Sequence, residues 1–444
     1  MLRRLVRGGG WLLAGKLATV FLGFGFQIVL ARVLSPDEFS QYVILSSVVL
    51  LAIVLGQFGL GQTIVRGIAS SLAKSDLSGA RCEARNGLLV VGLVAFLIGI
   101  LWVSIGPALL DGAWQFSLAG LVLLSVGAWI VFGAMQSIAA EAFRGFHDLR
   151  GTAAFASGSY GLSLFSLFVL FPLALWWWNS GEVALGSVLG AVALSVALGC
   201  VFATTLLWFR YLKGERRDLS RLPGMVSASV PLLGIQALMY VVGQAGVWVL
   251  GAVAVATEVG LLGAAQRLVI LVPALLLMIN GAVQPLVAEL FARGEIPRLE
   301  ALLRLAATVA GIPGMVILAV FLAWAFDLME LMFGEAYRPG GWAVVWLSGA
   351  QLVNVWVGSC AVALVMTGKQ NILFWIVFAS AAIILLLLLL LAPLYGASGA
   401  AAAIACGVVL QNIAGLIAVR RALGIWTHMT NPLRLVHLTR LVRG

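Results

Sequence analysis

The sequence predicts an all-α polytopic membrane protein with twelve transmembrane helices in two parallel six-helix repeats. Three observations carry that expectation. Of 444 residues, 62% are hydrophobic and only 10% charged, with a mean hydropathy of +1.10; a soluble globular chain carries about 25% charged residues. Apolar windows of membrane-spanning length recur along the whole chain, and the basic residues collect in alternate connections between them. So much apolar surface does not fit into soluble cores, which counts against a soluble enzyme, a disordered regulator and a nucleic-acid-binding domain alike. The net charge of +10 therefore reads as a matter of placement, because basic residues gather on the cytoplasmic side of membrane proteins.

A helix needs about 20 mostly apolar residues to cross a bilayer core. Windows of that kind centre near residues 22, 52, 98, 128, 165, 196, 240, 273, 312, 354, 382 and 408. Runs such as IILLLLLLLA at 383–392 are continuously apolar, whereas barrel strands alternate. The windows near 240 and 273 are the least distinct, since TEVG at 257–260 separates them only weakly.

Basic residues set the orientation. With the N-terminus in the cytoplasm, the cytoplasmic segments hold Arg3, Arg4, Arg7, Arg66, Lys74, Arg81, Arg85, Arg144, Arg150, the cluster from Arg210 to Arg221, Arg293, Arg298, Arg304, Lys369 and the C-terminal arginines. Only Arg32 and Arg338 fall on external connections, and only Lys16 and Arg267 within spans. Removing or adding one helix would reverse every later loop and destroy this bias, so both termini are expected in the cytoplasm. Trp176, Trp177 and Trp178 at the external end of span five suit an interfacial belt. Lys16 interrupts the first apolar run, and the residues before Arg32 make a poor cleavage site, so the first span is expected to be retained rather than cleaved as a signal peptide.

An offset of 220 aligns VLARVLSPDEFSQY (29–42) with VLGAVAVATEVGLL (249–262), matching Val29, Leu30, Val33 and Glu38. QTIVR (62–66) then resembles QPLVA (284–288). Six spans per half is even, so both halves enter from the same side, as parallel repeats do. The expected organisation is an N-terminal lobe over 1–209, a basic cytoplasmic linker over 210–224, a C-terminal lobe over 225–419 and a basic cytoplasmic tail over 420–444.

The segments LARVLSPDEFSQYVIL (30–45), GLGQTIVRG (59–67), FRGFHDLRG (143–151), EVGLLGAAQRL (258–268), MTGKQN (366–371) and LYGASGAAAAIA (394–405) resemble the lipid-linked oligosaccharide flippases of bacterial polysaccharide biosynthesis. These carry O-antigen or other polysaccharide repeat units, and belong to the multidrug/oligosaccharidyl-lipid/polysaccharide exporter superfamily. The resemblance covers nearly the whole chain, through soft motifs of small and apolar residues. It implies a V-shaped bundle of two six-helix lobes around a central cavity, in the bacterial cytoplasmic (inner) membrane. It also implies a polyprenyl-pyrophosphate-linked glycan as substrate, flipped by alternating access, with a polysaccharide polymerase or glycosyltransferases as candidate partners alongside the membrane lipids.

Charged groups within spans are costly and are functional candidates by default. On span one, Lys16, Thr19, Gly23 and Gln27 recur at three- and four-residue spacing, which puts Lys16 and Gln27 on one face. On span seven, Gln236, Tyr240, Gln244 and Trp248 recur every four residues, and the repeat offset sets Gln236 against Lys16. Two equivalent helices thus carry a polar stripe, as expected if both line one cavity. Span eight carries Gln266, Arg267, Pro273 and Asn280, and span ten Gln351 and Asn354. The resemblance implies basic cavity residues on spans one, two and eight. Lys16 and Arg267 match two of those spans, and Arg66, at the end of span two, stands where the third would be. Cations suit a pyrophosphate. Each also has a plainer reading: Lys16 and Arg267 are placed to snorkel, and the amides to bond neighbouring helices.

All 17 acidic residues lie in connections, in an amphipathic segment or at helix ends. Drug extruders of the superfamily generally use buried acids, so this pattern favours an anionic lipid substrate over a small-molecule extruder, the first alternative. The second is a polytopic glycosyltransferase or polymerase, suggested by Asp37 and Glu38 on the first external connection but opposed by the short external loops. Cys82, Cys200, Cys360 and Cys406 stand alone, so no disulfide framework or metal is expected. Nothing resembles a P-loop, and no cofactor is expected.

Overall fold

A computed structural model of the chain describes residues 2–114, 120–158, 161–181, 183–213, 219–254 and 256–430. Residues 214–218 of the expected linker and 431–444 of the expected tail lie outside the described residues. The described chain is helical, and no strand forms among its residues; one isolated bridge joins Ser157 and Ser163. That is what lipid dictates, because a helix satisfies its own backbone polar groups. Two compact units divide the chain, Met1–Gln244 and Ala245–Gly444.

The first unit holds α1 (Leu2–Val33), α2 (Pro36–Gly56), α3 (Leu60–Ala73), α4 (Leu77–Trp114), α5 (Gly120–Gly145), α6 (Leu149–Phe155), α7 (Leu164–Ser180) and α8 (Leu185–Leu207). A π-helical turn, Trp208–Leu212, extends α8. α5 is the central helix, packing against α2, α3, α4, α6 and α8, and the fully buried side chains include Trp129, Tyr42, Phe39 and Phe143. The Asp37–Glu38 pair begins α2. Glu38 closes a capping box with Ser35, and its other oxygen, Oε1, accepts the N–H of Leu185 at 3.1 Å, the first residue of α8. Asp148 similarly caps α6 through Gly151 while its Oδ2 pairs with Arg210 at 3.1 Å and accepts from the Tyr211 hydroxyl at 3.2 Å.

α9 (Leu222–Val253) runs from the first unit into the second. Its N-terminal part packs within the first unit: Gly59 lies against the backbone of Ser229 and Leu233, and the Tyr240 hydroxyl donates to the Ser47 carbonyl of α2 at 2.9 Å.

The second unit continues with α10 (Ala256–Val269), α11 (Ala274–Ala292), α12 (Ile296–Phe333), α13 (Gly341–Val357), α14 (Cys360–Met366) and α15 (Gln370–Leu423). Val287, Leu299, Leu303, Val357, Leu364, Val419 and Ile425 belong to one core cluster. Among the described residues, eight helices are long and apolar enough to cross a membrane, or nine if the pair bent by 49° at α13–α14 counts as one span; Leu164–Asn179 is a shorter apolar helix. The differences from twelve continuous windows have local causes. The window near 273 is split, since helical geometry lapses over residues 270–273 just before α11. The windows near 382 and 408 fall in one helix kinked at Gly396 (φ 54, ψ −135). That conformation is open to glycine, and Pro393 upstream withholds a helical N–H. The freed N–H of Ala397 is not lost: Glu258 Oε2, in the first turn of α10, accepts it at 2.7 Å.

Candidate functional site

The stripe on α1 is open at one end and sealed at the other. Lys16 is exposed, whereas Thr19, Gly23 and Gln27 are buried. Thr19 spends its hydroxyl on the Gly15 carbonyl at 2.8 Å, and Gly15 packs against Ala153 of α6. Gln27 is 1% exposed, and its Nε2 reaches the Tyr42 hydroxyl of α2 at 3.4 Å. Helical spacing therefore places Lys16 and Gln27 on one face, but α2 covers that face at the level of Gln27.

At the open end, three charges gather. Glu141, near the end of α5, pairs with Arg144 at 2.5 Å, and the charge of Lys16 also acts on the Glu141 carboxylate. Gly61 of α3 lies against the Glu141 side chain, so α1, α3 and α5 converge there. Arg144 is one of the cytoplasmic basic residues of the sequence, and Glu141 one of its helix-end acids. The available signal was the three-residue spacing of opposite charges at the end of an otherwise apolar helix. Arg66 of α3 is exposed.

On α9, Gln236, Tyr240 and Gln244 are all half-buried. Tyr240 has a settled structural partner in the Ser47 carbonyl, a helix-to-helix bond of the kind that membrane interiors favour.

In the second unit, Arg267 is half-buried in the last turn of α10, next to the break before α11. Asn280 of α11 accepts a hydrogen bond from the Ser359 hydroxyl, at the α13–α14 bend. Gln351 and Asn354, both half-buried on α13, pair with each other at 2.7 Å. Each of these amides keeps a second polar end for another partner. The first unit thus presents the exposed cations Lys16 and Arg66, and the second unit the half-buried Arg267 and the partly engaged amides of Asn280, Gln351 and Asn354. Among the described residues no group of three or more His, Cys, Asp or Glu is placed to hold a metal ion.

A family model described as polysaccharide biosynthesis protein matches residues 5–291. None of the curated proteins compared matches the chain. Among solved structures, the inward-facing form of a multidrug resistance MATE family transporter of the MOP superfamily superposes with a TM-score of 0.71 at 14% identity, over 97% of this chain and 99% of that one. The lipid II flippase MurJ, in an inward closed conformation, gives 0.67 at 11% identity over 97% and 90%. A MOP superfamily transporter from Pyrococcus furiosus gives 0.63 at 16% identity over 95% of each chain. At such identities the likeness is one of fold, and function has to be argued from the residues.

Proposed function

The chain belongs to the polysaccharide biosynthesis protein family, and on that premise we propose that it is a flippase for polyprenyl-pyrophosphate-linked oligosaccharide. It moves this lipid from the inner to the outer leaflet by alternating access, for surface polysaccharide synthesis in a bacterial cytoplasmic membrane. The transporter fold and the family assignment are the frame. The observation that carries the substrate class is the sign of the exposed charge on α1 and α3: Lys16 and Arg66 are exposed cations, while several carboxylates have partners within the fold. Glu141 pairs with Arg144, and Glu38 and Glu258 hold backbone N–H groups. Guanidinium and ammonium groups suit a pyrophosphate head, and the amides of Gln236, Gln244, Asn280, Gln351 and Asn354 suit glycan hydroxyls.

Twelve crossings in two repeats are part of this reading. Its support is the recurrence of a short helix after a break in each unit: α6 and α14 each have 7 residues. Counting α7 as a short crossing, α10–α11 as one broken crossing and α15 as two helices joined at Gly396 supplies the remaining three crossings beyond the nine. Both termini then lie in the cytoplasm, in line with the basic bias.

A glycosyltransferase is the weaker reading, since Glu38 already serves two helix starts. The test is depletion of the protein in its native cell, followed by analysis of the lipid-linked glycans. A repeat-unit glycan should accumulate on the inner leaflet. Altered drug resistance with no such accumulation would move the assignment to a small-molecule extruder of the same superfamily.

A further inference from the structure

A helix that stops inside an apolar protein must hand its last carbonyls to other donors. α13 stops at Gly358, which adopts φ +75, and two of the carbonyls opened there are taken by the segment that follows α15. The Met429 N–H donates to the Trp356 carbonyl at 2.8 Å, and the Thr427 hydroxyl donates to the Val357 carbonyl at 2.9 Å. One residue on, the Thr430 N–H donates to the Thr308 hydroxyl of α12 at 3.1 Å. Ile425 and Thr427 are buried at 1% and 0% exposure. His428 stacks on Trp356 with ring centroids 5.2 Å apart. The Met429 thioether sits over Gly311 of α12, where a Cβ would collide with it. Residues 425–430 therefore form a strap seated on the α13–α14 bend. The next residue in that bend, Ser359, donates to Asn280, and the one after, Cys360, is buried against Gly415.

We propose that Thr427 and Met429 are positioning residues for the substrate path: the strap holds the bend at Gly358 so that Ser359 fixes the amide of Asn280. The Ser359 hydroxyl occupies the Asn280 oxygen, which leaves the amide NH₂ as a donor for phosphate or glycan oxygens. This rests on Asn280 lining the substrate path, the reading given above. A strap that merely covered a helix end would stabilise the unit without acting through Ser359.

Cys360 is a native reporter of the bend. In the full chain in detergent, with Cys406→Ser to remove the exposed thiol, maleimide labelling of Cys360 is followed by peptide mass. Thr427→Val keeps the shape and removes the hydrogen bond, Thr427→Ser keeps the bond, and Gly311→Ala displaces Met429. Labelling should rise roughly fivefold in Thr427→Val and Gly311→Ala, as local opening becomes easier, and stay at the parent rate in Thr427→Ser. Unchanged labelling in Thr427→Val overturns the strap, even if Gly311→Ala yields no folded protein.

The second arm is a double-mutant cycle on export of the lipid-linked glycan at matched protein levels. Thr427→Val should lower export several-fold when Ser359 is present and add little to Ser359→Ala. Independent, additive losses overturn the positioning role. A parent chain that exports no lipid-linked glycan would count against the flippase reading instead, and the labelling arm would still decide the strap.

Discussion

Glu38 and Glu258, which the repeat offset of 220 aligns, do the same work in their own units. Glu38 Oε1 accepts the Leu185 N–H at 3.1 Å, at the start of α8. Glu258 Oε2 accepts the Ala397 N–H at 2.7 Å, at the restart of α15 beyond Gly396. Each carboxylate begins one helix and satisfies an orphan donor at the start of another, where a negative charge also complements the helix dipole.

Glu38→Ala and Glu258→Ala should each destabilise the protein by about 1–3 kcal/mol, the cost of a partly buried donor left unpaired. Glu258→Gln should lose less, because it keeps an acceptor. Thermal unfolding in detergent, followed by tryptophan fluorescence, measures both. Alanine variants as stable as the parent would mean that water replaces the carboxylate without penalty.

Orientation is open to direct measurement. Cysteines introduced at the exposed positions Ser75 and His147 should be shielded in intact cells from an impermeant external thiol reagent. Those introduced at Asp111 and Glu335, also exposed, should react. External labelling at position 75 or 147 would invert the orientation drawn from the basic bias.

If Lys16 and Arg267 attract the pyrophosphate, Lys16→Gln and Arg267→Gln should each impair export in a stably inserted protein. Loss of one charge-assisted contact costs about 1.5–3 kcal/mol, a tenfold or larger loss of binding. Lys16→Arg should keep partial activity, and Arg267→Lys should be worse tolerated if its phosphate contact is bidentate. Snorkelling residues would behave differently, with near-normal export by the Lys16→Gln, Arg267→Gln double variant.

Glu141→Gln removes the carboxylate on which Lys16 acts and which pairs with the half-exposed Arg144. Stability should fall less than on truncation to alanine, because glutamine keeps an acceptor for Arg144. Affinity for an anionic pyrophosphate lipid should rise about fivefold, the effect of removing an opposing charge worth roughly 1 kcal/mol. Titration of purified protein with a polyprenyl pyrophosphate reads this, and weakened binding would show that Glu141 orients Lys16 rather than competes for it.

The helical membrane class was legible in the chain because it depends on local properties, and the expected sidedness rests on properties just as local. A run of apolar residues is forced into a helix by lipid wherever it occurs, and each Lys or Arg adds to the cytoplasmic bias independently of its neighbours. The polar stripes were legible as spacing, but spacing says nothing about what lies opposite. Gln27 shares a face with Lys16, yet one faces Tyr42 of α2 and the other stays exposed.

The sequence by itself determined that this is a helical membrane protein and where its apolar segments lie. The tertiary structure alone decided what the polar groups do: Tyr240 bonds the Ser47 carbonyl, Glu258 reaches Ala397, and Thr427 closes the end of α13 at Val357. The reason is physical. Hydropathy acts residue by residue against the solvent, whereas a hydrogen bond between distant segments needs an orphaned donor and acceptor brought within about 3 Å, and only the packing of helices and the sites of their breaks settle which groups those are.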